Sequence, residues 1–455
     1  MQQKTFKFKP KFKKMKRKLP ASLNRRKFVS TTAKALTAFL ILTRFVLGGK
    51  KPDGTMYTAP SDMITLGFIG AGKQGRGLTS AFLETGEVRI IALSEVYKAK
   101  GILTLENIKS FYSKNGQEGK YGDIPVYNDF RELLARKDID GVVISTPDHW
   151  HAAGAVRAAE AGKDIFCEKP LALTVKEGRA MVAATRLHRR VFQTGSMQRS
   201  WAEFRHAVEL VRNGYIGDIK SIKVSVGPPP IKYDLAAEPI PFGLDWSKWL
   251  GPNALSAFNS ELAPPVSNDV YPNWRKYKEF GGGGVTDWGA HMFDIAQWAL
   301  DMDNSGPVEI SAPDGGLHKN LTFRYKNGTI MTHEKWEWEN AVLFTGTEGE
   351  IRIERGKIET TPAALKDRII GETEKHVYKS VDHYKDFLNA MRKRTMPVCD
   401  VETGHRTASV CNIGNIAYQL NRSLQWDPVK EMFTNDEEAN ALLGRPMLNE
   451  WAIKL

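Results

Sequence analysis

The chain has 455 residues, 42% of them hydrophobic and 26% charged, which suits a folded protein and is too long for one hydrophobic core, so two domains are expected. Its formal net charge of +13 is concentrated at one end: residues 1–51 hold 16 Lys and Arg and no Asp or Glu, leaving 49 basic against 52 acidic residues in the rest. A slightly acidic body lacks the basic face of a nucleic-acid-binding domain, and that class is excluded.

The basic stretch "KFKPKFKKMKRK" precedes "LNRRKFVSTTAKALTAFLILTRFVLGG", whose uninterrupted apolar run, Ala35–Thr43, is far shorter than the roughly 20 residues of a membrane span. A basic start before a short apolar run reads as an export signal. Arg25-Arg26, followed by Lys27 and Phe28, resembles the twin-arginine signal, although Asn24, Val29 and Ser30 depart from its preferred residues. Residues 1–50 are therefore expected to be a leader handled by the twin-arginine export machinery. The protein would then be periplasmic, or held at the membrane through an uncleaved leader; a disordered basic tail is the plainer alternative. Residues 51–62 read as linker.

At Ile64 the pattern changes. "ITLGFIGAGKQGRGLTSAF" is an apolar strand, a glycine-rich turn and a helix, with Gly70, Gly72 and Gly75 spaced G-x-G-x-x-G. That spacing permits a tight turn, close approach of a pyrophosphate and close helix–strand packing, and it aims free helix N–H groups at the phosphates. The next strand, "VRIIALSE", ends at Glu95, where a carboxylate can accept both hydroxyls of an adenosine ribose and repel a 2′-phosphate. NAD is therefore favoured over NADP; were NADP preferred, Tyr97 and Lys98 would be the places to look. "GVVIST", "DIFCEKP" and "VFQTG" continue the strands, separated by helical patterns, so residues 63–195 are expected to form a doubly wound parallel sheet. Ligands sit beyond the carboxyl ends of such strands, where "STPDHWH", "CEKP" and "GSMQR" fall. The three cysteines, Cys167, Cys399 and Cys411, have no zinc-site spacing and read as buried and unbridged.

Over residues 196–455 the pattern becomes mixed and reads as a second domain of strands and helices. "IKSIKVSVG" alternates like a half-buried strand, and Asn327-Gly328 marks a hairpin in "LTFRYKNGTIMTHEKW". Residues 228–280 read as long loops whose Trp246, Trp249, Trp274 and Tyr277 either stack on a sugar or simply pack. Two late helical patterns, "HYKDFLNAMRKR" and "GHRTASVCNIGNIAYQL", are expected to pack back on the first domain. In "GGGGVTDWGAH" (281–291) the glycines suggest close approach of something bulky, taken to be a substrate. Asp287 and His291, four apart, would share a helix face, with Asp287 orienting the imidazole and raising its basicity. No second His/Asp pair stands at ligand spacing, so no metal is expected.

"STPDHWH", "EKP" and "GGGGVTDWGAH", with the closing "DVETGHRTASVCNIGNIAYQLNR", resemble the Gfo/Idh/MocA oxidoreductases from about Ile64 to the C-terminus. The resemblance implies a Rossmann domain holding NAD or NADP, then an α/β (α+β) domain with a large, open, mostly antiparallel sheet that holds a sugar, polyol or related substrate against the nicotinamide. The cofactor set carried by the matching motifs is Gly70, Gly72, Lys73, Gln74, Gly75, Glu95, Thr146, Pro147, His151, Glu168 and Lys169. The resemblance gives Lys169 a share in substrate binding and proton transfer. His291 is then the base with Lys169 assisting, or the reverse, with Asp287 completing the set. Arg199, Trp274 and Arg275 are the further substrate candidates, and His149 reads as structural. Expected partners are a carbohydrate and a second copy or copies of the chain, as dimer or tetramer. Three functions follow: oxidation of a carbohydrate hydroxyl, glycoside hydrolysis through transient oxidation and elimination, or non-catalytic sugar binding, which intact Lys169, Asp287 and His291 argue against.

Overall fold

Six short apolar segments make the first sheet. In the computed structural model, which describes residues 49–50, 56–57, 62–115, 122–313, 319–448 and 450–453, they are β1 (Ile64–Ile69), β2 (Val88–Ser94), β3 (Val126–Tyr127), β4 (Gly141–Ile144), β5 (Asp164–Cys167) and β6 (Phe192–Thr194). All pair in parallel in the order β3-β2-β1-β4-β5-β6. Helices α1 (Lys73–Glu84), α2 (Lys98–Lys114), α3 (Phe130–Leu134), α4 (Asp148–Glu160) and α5 (Val175–Leu187) make the return connections. The strand order reverses between β1 and β4, and that switch is where such sheets bind ligands. The helix starts differ in a way that matters for the site. Asp129 caps α3 and Thr174 caps α5, whereas α1 and α4 begin at Gly72 and Pro147 with no side-chain cap, leaving N–H donors free at the switch.

Through α6 (Ala202–Arg212) and β7 (Ile219–Ser225) the chain crosses into a nine-stranded sheet. After α7 (Trp246–Leu250), α8 (Gly283–Asp287) and α9 (Gly289–Ala299) come β8 (Glu309–Ser311), β9 (Leu321–Arg324), β10 (Ile330–His333), β11 (Ala341–Gly346), β12 (Glu350–Glu354) and β13 (Lys357–Thr361). Helices α10 (His383–Lys393) and α11 (Val401–Leu420), strands β14 (Leu424–Asp427) and β15 (Met432–Phe433), and α12 (Glu437–Ala441) complete the fold. The strand order is β13-β12-β11-β7-β10-β9-β8-β14-β15, antiparallel except for β7 against β10. The hairpin at Asn327-Gly328 forms as its sequence demands, with Gly328 at φ +88°.

The late helices return to the first sheet. On α10, Phe387 and Leu388 pack with Leu66 and Phe82, and on α11 Val401 and Ala408 join a second cluster with Ile69, Val142 and Ile165, while Val410 and Ile413 enter the core under the second sheet. The loops between β7 and α8 are not loose. Trp246, Trp249, Phe258, Trp274, Tyr277 and Phe280 form a small aromatic core with Tyr97, in which Trp246 and Trp249 stack at 4.6 Å. All three cysteines are buried and free. The expected leader (1–50) and linker (51–62), including Arg25-Arg26, lie outside the described residues, save Asp62 and a separate ribbon in which Gly49–Lys50 pairs with Met56–Tyr57.

The four-glycine run has a different cause from the one its sequence suggested. A Cβ on Gly284 would stand 2.3 Å from Gly227 Cα, and one on Gly283 (φ +69°) 2.5 Å from Pro230 N. A Cβ on Gly281 would meet the Arg275 backbone at 2.9 Å, and Gly284 N donates to Pro228 O at 2.7 Å. Gly283 and Gly284 are thus required by the chain's own "GPPP" turn and Gly281 by the Arg275 backbone, not by a substrate, and the turn contact fixes where α8 starts. Gly284→Ala is expected to cost about 1–3 kcal/mol by overpacking. Gly77→Ala, on α1 with nothing within 4 Å of its Cβ position, is expected to stabilise by about 0.5–1 kcal/mol. Urea unfolding midpoints of the two variants check the contrast.

Candidate active site

A cavity of about 590 Å³ opens at the switch between β1 and β4 and runs to α8 and α9. One end is built by the glycine turn. Gly70 has φ +91°, and a Cβ there would strike the Ser145 backbone at 2.8 Å; a Cβ on Gly75 would strike Gly70 O at 2.4 Å. Gly72 faces open space, beside the uncapped start of α1. Gly75 therefore sets packing, while Gly70, Gly72, Lys73 and Gln74 line the cavity. Glu95 also lines it, its carboxylate accepting from Ala71 N at 2.7 Å and Tyr97 N at 2.8 Å. Thr146 and Pro147 line the wall beyond β4, and Thr146 Oγ1 is buried without a partner among the described residues. An open glycine cradle, free helix N–H groups, a carboxylate at the end of β2 and an orphaned hydroxyl fit an NAD molecule.

The other end is where chemistry can occur. Lys169, just past β5, sends its Nζ to Asp287 Oδ1 at 2.6 Å and to Asp287 O at 2.9 Å. Arg275 Nε lies 3.6 Å from the same carboxylate oxygen. Burial alone would raise the Asp287 pKa, but the Lys169 and Arg275 charges outweigh it and hold the carboxyl below its ordinary range. His291 lines the cavity with Nδ1 buried and unpartnered among the described residues. Burial, reinforced by the Lys169 and Arg355 charges, pushes its pKa well below the ordinary value, so the ring is neutral. Glu168 receives Gln74 Nε2 at 3.0 Å and ties the β5 loop to the glycine turn.

Four sequence expectations change here. Asp287 does not orient His291: the helix breaks at Trp288 between α8 and α9, and the carboxylate turns to Lys169 and Arg275. Arg199 does not reach a substrate. It is 1% exposed and locked in a fork on Asp294 (2.8 Å) and Asp303 (2.7 Å), where it joins α9 to the loop that follows. His151 does not line the cavity; its ring lies 2.9 Å from Pro170 O and 3.1 Å from Thr146 O and ties the β4 and β5 loops together. Lys98 is replaced at the adenosine end by Lys100, which lines the cavity beside Glu95. Trp274 and Arg275 do line it, with the guanidinium 4.2 Å from the Trp274 ring centroid. His149 is structural, held by Trp249 O at 2.9 Å.

Among the lining residues that sequence reasoning did not single out, three bear on the chemistry. Asp148, 3% exposed at the start of α4, lines the cavity with Lys169 and Asp287, and burial pushes its pKa well up against the opposing Arg275 charge. Its place in "STPDHWH" was a signal. Tyr271 and Arg355 come from a loop and a hairpin turn with no motif, and nothing short of the fold finds them. No cluster able to hold a metal occurs among the described residues.

Comparison with known proteins agrees with this geometry. Residues 64–196 match the family model described as the oxidoreductase family, NAD-binding Rossmann fold, and residues 230–453 match its C-terminal alpha/beta domain. An uncharacterized oxidoreductase, YrbE, of Bacillus subtilis is 32% identical over 71% of this chain and 82% of its own. The chain therefore belongs to the Gfo/Idh/MocA oxidoreductase family, and its first domain is an NAD-binding Rossmann fold. A 2,7-anhydro-N-acetylneuraminate hydratase of Mediterraneibacter gnavus is 29% identical over 64% of this chain and 68% of its own. A glycosyl hydrolase family 109 protein of Shewanella pealeana is 34% identical over 34% and 35%. Among solved structures, levoglucosan dehydrogenase in complex with NADH and L-sorbose shares the fold, with TM-score 0.55 and 19% identity over 81% of this chain and 100% of that one.

The Glu95–Lys100 neighbourhood yields a test of cofactor choice. Glu95→Ala is expected to weaken NAD binding and to release Lys100 for a 2′-phosphate. The ratio of NADP to NAD dissociation constants should fall by about tenfold, roughly the loss of one charged contact. Fluorescence titration of both reduced cofactors measures it; an unchanged ratio removes Glu95 from that role.

Proposed function

We propose that the protein oxidises or reduces a hydroxyl-bearing carbon of a sugar, glycoside or polyol, with NAD held tightly between turnovers. The observation that carries the proposal is the Lys169–Asp287 pair beside neutral His291, at the far end of the cavity that begins at the glycine cradle. Gly70, Gly72, Lys73, Gln74, Glu95 and Thr146 would hold the dinucleotide, and bound NAD supplies the hydride acceptor or donor. The protein's part is proton movement and positioning. His291, neutral and with Nδ1 buried, offers Nε2 to the substrate hydroxyl and takes its proton. Lys169, held by Asp287, stabilises the negative oxygen that develops. Asp287 stays ionised and holds Lys169 in place. Asp148, a buried carboxyl in the same wall, is placed to hydrogen-bond a substrate hydroxyl.

A second reading keeps the same first step and follows it with elimination and re-reduction, giving hydrolysis or hydration without net redox change. The names of two relatives, a hydratase and a glycosyl hydrolase, favour it. So does a strap from the second domain. Asp269 pairs with Lys73 (3.6 Å) and Arg76, and Tyr271 Oη donates to Gln74 Oε1 at 3.3 Å, so the strap is tied to the first turn of α1. A cofactor lying there leaves only when those contacts open.

His291→Ala and Lys169→Ala are each expected to lower turnover by about 10² to 10⁴ with the fold intact. Near-normal turnover in both rejects the assignment. Free sugar or hydrated product without accumulated reduced cofactor selects the second reading. For the strap, Asp269→Ala removes two exposed ion pairs, each worth up to ~1 kcal/mol, and should speed NAD release by about tenfold. Stopped-flow displacement with excess cofactor reads that rate directly.

A further inference from the structure

Arg355 sits in the turn between β12 and β13, in the sheet farthest in sequence from the cofactor site, yet lines the cavity. Its guanidinium carbon is 4.5 Å from the Trp288 ring centroid and 5.2 Å from that of Trp201. Nε donates to Gln198 Oε1 at 3.2 Å, and Gln198 is 1% exposed. The planar group is therefore oriented by two rings and anchored at one end by a buried amide. Its two terminal nitrogens have no hydrogen-bond partner, and no carboxylate lies within ion-pair distance, among the described residues.

That arrangement is unusual for this wall. Arg199 is neutralised by Asp294 and Asp303, and Arg275 leans on Asp287. Glu168 and Asp148 are buried carboxyls whose ionisation burial opposes. Lys169, Arg275 and Arg355 share this end with Asp287 and those two buried carboxyls, and of the three basic groups Arg355 is the one with no carboxylate within ion-pair distance among the described residues. Trp288, which carries the guanidinium, is next to Asp287 in the chain and meets the His291 ring edge-on at 5.8 Å. An anion on Arg355 would lie within one sugar's length of the proton-transfer group.

We infer that Arg355 is a specificity-determining residue and that the substrate is an acidic sugar, its carboxylate received by the two free guanidinium nitrogens of Arg355. The inference rests on the reading of this cavity as a sugar-oxidising site and adds the substrate's class. A guanidinium offers two parallel donors that match the two oxygens of a carboxylate, which neither a neutral hydroxymethyl group nor a lone ammonium reproduces. Stacking on two indole faces removes most of the side chain's freedom before the ligand arrives, which strengthens such a contact.

The test is equilibrium binding to the NAD-loaded full chain, by calorimetry, of glucuronate against glucose and galacturonate against galactose, with a glucose phosphate ester as a further probe. At least one uronate is expected to bind about tenfold or more tightly than its neutral partner, and Arg355→Gln should erase that ratio. Equal binding within both pairs, binding of neither uronate, preference for the phosphate ester, or a ratio that survives Arg355→Gln each overturns the inference. The wild-type comparison stands even if the variant does not fold. Uronate binding with no change in nicotinamide absorbance would reject the oxidation and leave the acidic-sugar assignment standing. Oxidation of neutral sugars with no uronate preference would do the reverse.

Discussion

The contact between Lys169 and Asp287 joins two parts of the chain that have no reason to meet unless the fold is right. Lys169 is fixed by its strand, β5, in the middle of one half of the parallel sheet. Asp287 is fixed by the end of a five-residue helix in the second domain. Their 2.6 Å approach makes the cavity a shared property of both domains, since neither alone has a complete wall. It also sets the electrostatics of the substrate end. With Asp287 committed to Lys169 and Arg275, His291 has no anion to raise its pKa and stays neutral. A neutral imidazole beside a fixed ammonium is suited to accepting a proton while the ammonium stabilises the negative oxygen.

Placing Asp287 to that accuracy is a backbone problem, and the four glycines solve it. The start of α8 lies against the "GPPP" turn after β7, closer than any Cβ allows. The close contact reads from sequence as room for a ligand, because both uses demand the same residue. Glycine content marks a tight place without saying what presses on it. Here it is Pro228, Pro229 and Pro230, whose rigid geometry makes the turn a stiff support.

The parallel sheet was legible because its signals are local: apolar runs, a G-x-G-x-x-G turn and helices of one periodicity recur along about 130 residues of sequence. Only β3 escaped, being two residues long. The cofactor half of the cavity followed, since Gly70, Gly72 and Glu95 sit at strand ends that the pattern itself locates. The substrate half was legible by residue and not by partner. Lys169, Asp287 and His291 line the cavity, but the i,i+4 spacing suggested an Asp287–His291 pair that the break at Trp288 prevents. Arg199 looked available because a sequence does not show that Asp294 and Asp303 converge on it. Arg355 carried no signal at all, for its role depends on a turn that a nine-stranded sheet delivers across the molecule.

The strap adds a constraint on what reaction the site can run well. Its contacts fall on Lys73, Gln74 and Arg76, in the same turn of α1 whose free N–H groups suit a pyrophosphate. On the proposed reading, opening the strap and exchanging the cofactor would be one event. A dehydrogenase that discards reduced cofactor at every turnover would have to break those contacts each time. A reaction that oxidises a carbon, uses the ketone and then reduces it again leaves NAD as it began and never needs the strap to open. An acidic sugar held by Arg355 would suit that cycle further: a carboxylate anchored at a fixed point keeps the keto intermediate in place while the rest of the molecule reacts. On that proposal, retention of cofactor and retention of intermediate would be two consequences of one arrangement, in which side chains of the second domain reach both ends of the cavity.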